Sequence, residues 1–371
     1  MKLFQQMLVA GASLSLLAPV AAQASDVVNL EEMNSYARSR TKSSRLDSKT
    51  FINEVSEDLA ILKGRLDGLE VKQNEFEAGG FSDTTVLDGK AIFDVGSVDT
   101  EDDTYTGETQ FMYTYTMNLN TSFTGEDKLN VEIAAGNQVA NSVAAAIDPL
   151  GETSDNLAIE DVNYTFPLGV WDISVGESMD ASKNWPNACK YGNVVDNIGD
   201  CGASNSVDLG GDISISAGRD FGDGWSFGLG ASADDGETNA GIFTEEGDDR
   251  YGLALGYEND TYGITLAYSS IEDGEANNSY VGATAYYNAE PFTISGGIEW
   301  MEADLATDEN SEQWTVGITT EMGPGEISAG IGTNGAIDDN AEDLYAYEVK
   351  YSYPINDSMT LDSFAFLAET V

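Results

Sequence analysis

The sequence predicts an all-β fold, a transmembrane antiparallel up-and-down β-barrel of about sixteen strands preceded by a short N-terminal coiled-coil helix. Three observations predict it. An apolar leader opens the chain, apolar and polar side chains alternate from residue 81 to the end, and long and short connections separate the alternating segments in turn. Period-two alternation places successive side chains on opposite faces of a sheet, and regular turn spacing is typical of a barrel.

Charge and composition exclude several functions. The chain has 16 Lys+Arg against 65 Asp+Glu, a formal net charge of −49, and no histidine. Such an acidic surface repels phosphate backbones, so no nucleic-acid partner is expected. Because the commonest general base is missing, the sequence does not predict an enzyme, and it indicates no catalytic residue, metal site or cofactor.

Residues 1–24 are predicted to form an export signal. Lys2 gives a positive start, residues 7–17 are apolar or small, and Ala22-Gln23-Ala24 fits the small-x-small cleavage rule. The alternative is a short anchor helix, although about 20 continuous apolar residues are needed to span a bilayer. Cleavage would leave Ser25 as the first residue of an exported protein.

A polar linker, residues 25–50, leads into a predicted coiled-coil oligomerisation helix at residues 51–78. Its apolar residues recur at spacings of three and four, which places them on one stripe that a single helix cannot bury alone. The alternative is an amphipathic helix packed on its own domain. Gly79-Gly80 ends the helix. The stripe consists of Ile52, Val55, Leu59, Leu62, Leu66, Leu69 and Phe76, with the polar Gln73 among them.

The barrel is predicted to occupy residues 81–371, with its apolar face toward lipid. Splitting this region at turn residues gives about fifteen strand-like segments, whereas a barrel of this kind has an even number of strands. We therefore expect either a missing closing strand at the C-terminus or one wrongly divided segment near residues 139–147. The opposite face is polar, and its charged candidates for lining the lumen are Glu132, Glu299, Glu321, Glu348 and Lys350.

Connection lengths favour a barrel over a soluble β-sandwich, which also alternates. Tight turns on one side and long loops on the other are typical of outer-membrane barrels, and aromatic residues near the segment ends fit interfacial girdles. The long connections are expected near residues 99–107, 138–156, 178–206, 234–249, 271–277, 304–310 and 334–342. The acidic runs among them could bind Ca²⁺, although none has a full EF-hand pattern.

The longest predicted outer loop, Met179 to Val207, is the candidate pore constriction. In an oxidising compartment, Cys189 and Cys201 are expected to form a disulfide that closes part of this loop; two free thiols are the alternative. We hypothesise that the loop folds into the lumen; the alternative is a protease-resistant surface loop. Its candidate constriction residues are Asp180, Lys183, Lys190 and Asp196.

Three stretches resemble the cyanobacterial outer-membrane porins, a family related to the carbohydrate-selective porins with members labelled iron-uptake porins. They are MKLFQQMLVA at the start, LAILKGRLDGLE at residues 59–70 and FSDTTVLDGK at residues 81–90; the turn YPINDS at residues 353–358 also fits. The resemblance implies a porin that carries ions, carbohydrates and other small solutes.

The chain departs from that family in two places. The family's surface-layer-homology domain precedes the coiled coil, and here only about 25 residues separate the signal from the coiled coil, so peptidoglycan attachment is not expected. The last residues, FAFLAETV, lack the family's terminal aromatic residue.

The predicted function is an outer-membrane porin with a water-filled channel for passive diffusion, preferring cations, and assembled as a homo-oligomer, a trimer, in outer-membrane lipid. The alternative is a structural or adhesive β-protein on a coiled-coil stalk without a channel.

Overall fold

The computed structural model describes residues 11–17, 85–100, 107–139, 153–239, 241–244, 247–274, 276–305 and 309–369, with the backbone alone for residues 11–17. The predicted linker at residues 25–50 and the coiled-coil helix at residues 51–78 lie outside these residues. Most of the predicted export signal and most of the segment near residues 139–147 lie outside them as well.

The described chain is built mainly from β-strands. They are β1 (Gly11–Leu17), β2 (Thr85–Gly96), β3 (Gln110–Thr121), β4 (Lys128–Gly136), β5 (Ala158–Leu168), β6 (Trp171–Glu177), β7 (Ile213–Gly222), β8 (Trp225–Ala233), β9 (Asp249–Glu258), β10 (Tyr262–Asp273), β11 (Ala276–Ala289), β12 (Phe292–Glu302), β13 (Ser311–Met322), β14 (Gly325–Thr333), β15 (Ile337–Asp338), β16 (Tyr345–Asn356) and β17 (Met359–Ala368).

Consecutive strands pair antiparallel, which confirms the predicted all-β, up-and-down architecture. Pairing runs from β3 to β14 without a break and continues from β14 to β16 and from β16 to β17. At the start, β2 lies beside β3, where Asn120 donates to Asp88 and Phe93 stacks on Phe111. The two-residue β15 is an extra strand on β13.

The strand β1 supplies a pairing that the sequence did not predict. Its backbone is antiparallel to β17, from Gly11 opposite Phe364 to Leu16 opposite Met359, and Leu16 also stands opposite Ala91 of β2. Including β1, the described sheet has sixteen strands besides β15. The sixteenth strand, expected as a C-terminal segment, is therefore provided here by residues within the predicted export signal.

The sheet has two chemically different faces, as the alternation predicts. Leu266, Val281 and Trp300 are 54%, 50% and 47% exposed on the outer face, whereas Thr265 and Thr284 on the inner face are buried. An apolar outer face suits lipid, and strand pairing satisfies the backbone polar groups that lipid cannot. In the described part of the chain, no helix has the length and apolarity needed to cross a bilayer.

Connections alternate between a short-turn end and a long-loop end. The short-turn end contains residues 122–127, 169–170, 223–224, 259–261, 290–291, 323–324 and 357–358. The prediction of a long connection at residues 271–277 is wrong, because Ile271 stands opposite Asn278 and Asp273 opposite Ala276 in the β10–β11 hairpin. A strand end that has left the hydrocarbon layer can be polar on both faces, so polarity alone does not mark where such a strand stops.

Candidate functional site

From β2 onward, the longest connection between consecutive strands is residues 178–212, between β6 and β7, and we call it the inner loop. It contains 3-10 turns within Asp196–Gly202, interrupted by non-helical backbone at Ile198–Cys201, and a single α-helical turn, Ser204–Val207. A disulfide joins Cys189 to Cys201. The segment has little regular structure of its own, so its conformation depends on what its backbone polar groups contact.

Glu348 on the inner face of β16 holds the middle of the inner loop. Its carboxylate accepts hydrogen bonds from the Tyr191 hydroxyl at 2.7 Å, from the Val194 amide at 2.9 Å and from the Val195 amide at 2.7 Å. Glu348 is 6% exposed, and such charge-assisted bonds are stronger than neutral ones. Burial and the negative charge of Glu348 raise the pKa of Tyr191, so the phenol stays protonated and donates.

Glu299 on β12 holds the end of the inner loop in the same way. Its carboxylate accepts from the Ser206 amide at 2.6 Å and the Asn205 side chain at 3.0 Å, and Gln313 of the neighbouring strand donates to it at 2.8 Å. With 2% exposure, this charge is buried and fully engaged by donors. Two buried glutamates on two strands therefore fix two points of one loop.

Hydroxyl groups on the inner face of the sheet accept hydrogen bonds from the first half of the inner loop. The amide of Asn184 donates to Ser216 at 3.0 Å, the amide of Ala188 to Thr265 at 3.1 Å and the amide of Lys190 to Ser295 at 2.9 Å. These acceptors stand on β7, β10 and β12. Together with Glu299 and Glu348, they show that the loop crosses the inner face of the sheet from β7 to β16.

The inner face of the sheet carries glycines where the two largest side chains of the loop contact it. The Tyr191 ring lies on Gly317 and Gly330, so that a Cβ atom at either glycine would overlap the ring. The Trp185 ring occupies the space beside Gly228 and Gly252 in the same manner. Glycine weakens a strand in general, but here it permits the close approach of an aromatic ring.

An apolar cluster covers the other side of the inner loop. Val194, Val195 and Ile198 pack in one buried group with Phe364 and Phe366, which alternation places on the inner face of β17. The loop therefore covers this apolar part of the inner face. Met112, Val98 and Ala346 complete the cluster.

The four predicted constriction residues occupy different places on the inner loop. Lys190 forms a 3.1 Å ion pair with Glu258, and its ammonium lies 5.1 Å from the centre of the Tyr286 ring. These groups line a cavity of about 550 Å³ at the short-turn end. Asp196 lines a second cavity, of about 420 Å³, together with Asp200 and Asp208. The loop thus has open space on two sides.

Asp180 lies in a group of charges at the start of the inner loop. Burial of its carboxyl, and next the negative charge of Asp208, raise the pKa of Asp180 to about 6, against the opposing effect of Lys183. Asp161 on β5 also contributes a negative charge to this group. Burial likewise raises the pKa of Asp208, which accepts a hydrogen bond from Ser182.

The five predicted lumen residues all lie on the inner face by alternation, but they have different surroundings. Glu299 and Glu348 bind the inner loop, and Lys350 donates to the Gly192 carbonyl at 2.9 Å. Glu132 is half-buried on β4, and Glu321 is exposed at the short-turn end.

Sequence reasoning missed Tyr191 and Trp185 as residues that fix the loop. The glycines at alternate strand positions were a usable signal, because a wall that leaves space on its inner face has something to accommodate.

Comparison with known proteins settles the family. Residues 85–370 match the family model described as Gram-negative porin. The chain belongs to this family. Membership of the porins places it in the outer membrane as a channel protein, which is not an enzyme.

Individual relatives of this porin are distant. An uncharacterized protein of Nostoc sp. is 36% identical over 139 residues, which are 34% of this chain and 24% of that protein. The match therefore spans about a quarter of that relative's length. Among solved structures, two engineered mutants of the Rhodopseudomonas blastica porin are 14% identical, with TM-scores of 0.45 and 0.46. The first match covers 77% of this chain and 100% of the mutant's chain, and the second covers 76% and 98%.

Proposed function

We propose that this porin is a water-filled channel for passive diffusion of inorganic ions and small hydrophilic solutes, narrowed by the inner loop. The supporting observation is the chain of anchors that ties the loop to the inner face from Ser216 on β7 to Glu348 on β16. About sixteen strands is the size at which side chains cease to fill a barrel and an aqueous channel remains. Planar-bilayer recording of the purified protein tests the proposal, and a folded, inserted protein that passes no current would refute it.

We further propose that the channel prefers cations. The positive groups near the inner loop are largely engaged, since Lys190 pairs with Glu258, Arg250 with Asp234, and Lys350 with a carbonyl oxygen. Asp196 and Asp208 line a cavity beside the loop and contribute acidic side chains to its surface. Charge on pore-lining side chains sets ion selectivity. Reversal potentials across a salt gradient measure this preference, and a clear anion preference would contradict it.

The cation preference is expected to depend on pH through Asp180. Because its pKa is raised to about 6, the carboxyl is ionised at neutral pH and loses its charge as the pH falls through this value. Reversal potentials at about pH 8 and about pH 4.5 should therefore show weaker cation selectivity at the lower pH. The variant Asp180→Asn should have the weaker selectivity already at about pH 8 and a smaller change on acidification. An unchanged pH response in this variant would assign the effect to other carboxylates.

Removal of the disulfide is expected to loosen the loop without releasing it. A bridge of this loop length contributes about 2–3 kcal/mol in the chain-entropy model, whereas the anchors at Glu299 and Glu348 persist in Cys189→Ser/Cys201→Ser. We expect a modestly higher conductance with more current noise than in wild type. Wild-type protein treated with a reductant is the matched comparison, and identical conductance and noise in all three samples would argue against a constricting role.

We also propose that the protein assembles as a homotrimer. The support is the heptad pattern from Ile52 to Phe76, which needs partner helices to bury its apolar stripe. Unheated samples should migrate as a heat-modifiable trimer on denaturing gels, and polar substitutions at Leu59 and Leu66 should shift them toward the monomer.

A further inference from the structure

The positive charges of the described strands are distributed unequally between the two faces of the sheet. Lys90, Lys128, Arg250 and Lys350 lie on the inner face by strand alternation. Arg219 on β7 lies on the outer face, directly opposite Phe227 of β8. In the described strands it is the single cationic side chain that the alternation directs toward lipid.

Aromatic rings surround the Arg219 guanidinium. Its central carbon lies 4.6 Å from the centre of the Phe221 ring and 6.0 Å from that of Trp171. Trp171 also meets Phe227 edge-on, with ring centres 6.2 Å apart. An arginine stacked on aromatic faces is held in place while the edge of its planar group stays available to an acceptor.

No acidic side chain neutralises this guanidinium within the described part of the chain. The ion pairs found there join Lys190 to Glu258 and Arg250 to Asp234, and Arg219 takes part in neither. The Nε atom of Arg219 is buried without a hydrogen-bond partner. Asp220, the next residue, points to the opposite face by alternation, and its carboxylate accepts from the Gly222 amide.

The depth of Arg219 in the membrane follows from its position on β7. The strand ends at Gly222, and the short turn to Trp225 follows at once. Aromatic side chains gather at this end, with Trp225 5.0 Å from Tyr257 and Tyr164 5.4 Å from Phe166 between ring centres. Such girdles mark the level of lipid headgroups, and the short turns of this family lie on the periplasmic side.

We propose that Arg219, with Trp171 and Phe221, binds the phosphate of an anionic phospholipid in the periplasmic leaflet. The guanidinium presents paired N–H donors that match phosphate oxygens, and the rings pack against the glycerol and the upper acyl chains. Lipid is the expected ligand because the site opens on the apolar wall at headgroup depth. A cationic side chain that faces lipid is energetically costly unless an anion pairs with it there, and this protein, of net charge −49, offers Arg219 no such partner among the described residues.

Native mass spectrometry of the delipidated, detergent-solubilised full protein tests this proposal, with phosphatidylglycerol as the probe. Wild type should bind the added phosphatidylglycerol, and Arg219→Gln should bind it about tenfold more weakly, the loss expected for one charge-assisted contact. Arg219→Lys should fall between them. Lys128→Gln is the matched control, since it removes an inner-face cation at the same end of the barrel, and it should bind like wild type.

Two further samples identify the source of the anion. Phosphatidylcholine should bind more weakly than phosphatidylglycerol, and inorganic phosphate in lipid-free detergent should not stabilise the protein against heating. Equal phosphatidylglycerol binding by wild type and Arg219→Gln would overturn the proposal. A change of oligomeric state in Arg219→Gln without any loss of lipid binding would overturn it too, and would assign Arg219 to a contact with a second copy.

Discussion

The variant Glu348→Ala is expected to show a severalfold higher conductance than wild type. Removal of this carboxylate leaves the Tyr191 hydroxyl and the amides of Val194 and Val195 without their buried acceptor. Leaving buried donors unsatisfied costs about 3 kcal/mol in total, which favours a loop detached at its middle. Single-channel recording measures the increase, and a lower unfolding temperature should accompany it, measured by denaturing gels of samples heated to a series of temperatures.

Glu321→Ala is the matched control for this experiment. It removes the same charge from the same face of the sheet, but Glu321 is exposed at the short-turn end. Its conductance should stay near the wild-type value, with a change in selectivity alone. If both alanine variants raise conductance equally, the effect is one of lumen charge, and the loop is not held by Glu348 in the way described.

The variant Gly317→Leu is expected to displace Tyr191 and disturb the channel by adding bulk beneath the loop, where Glu348→Ala removes a contact. A side chain at this position overlaps the Tyr191 ring, and overpacking of this kind costs about 1–3 kcal/mol. We expect a less stable protein with a changed and more variable conductance. Thr319→Leu adds bulk two residues along the same face of β13 and is expected to have a small effect.

A second substitution distinguishes steric displacement from general damage to β13. In Gly317→Leu/Tyr191→Ala the ring is absent, so the leucine has room and the two effects should not add. The double variant should therefore be no less stable than Tyr191→Ala alone. Additive losses of stability would show that Gly317 matters for the strand itself and not for contact with the loop.

Much of the fold could be predicted because lipid imposes a simple pattern on the sequence. Alternation along Tyr262, Ile264 and Leu266, and the tight turns between segments, follow directly from a wall with lipid on one side and water on the other. Where the strands leave the membrane this pattern loses its meaning, and that is why residues 271–277 were predicted as a loop. The pairing of Gly11–Leu17 with β17 could not be predicted either, because no local sequence pattern indicates it.

The candidate site was less predictable than the fold. Chain length and two cysteines indicated that the inner loop is special, but not which wall residues contact it. Tyr191 and Glu348 are separated by 157 residues, and nothing near either of them in the sequence indicates the other. Glu299 and Glu348 were predicted to face water in the lumen. They lie on the inner face, yet both are buried under the loop and hold it there, since loop amides need acceptors.

The spread of these anchors along the chain has a consequence for biogenesis. Residues 178–212 precede β12 and β16 in the chain, so the contacts of the loop with Glu299 and Glu348 form only once these later strands are in place. The loop can therefore narrow the passage fully only after β12 and β16 have joined the sheet. Current through newly inserted molecules should accordingly fall in a discrete step as each one matures.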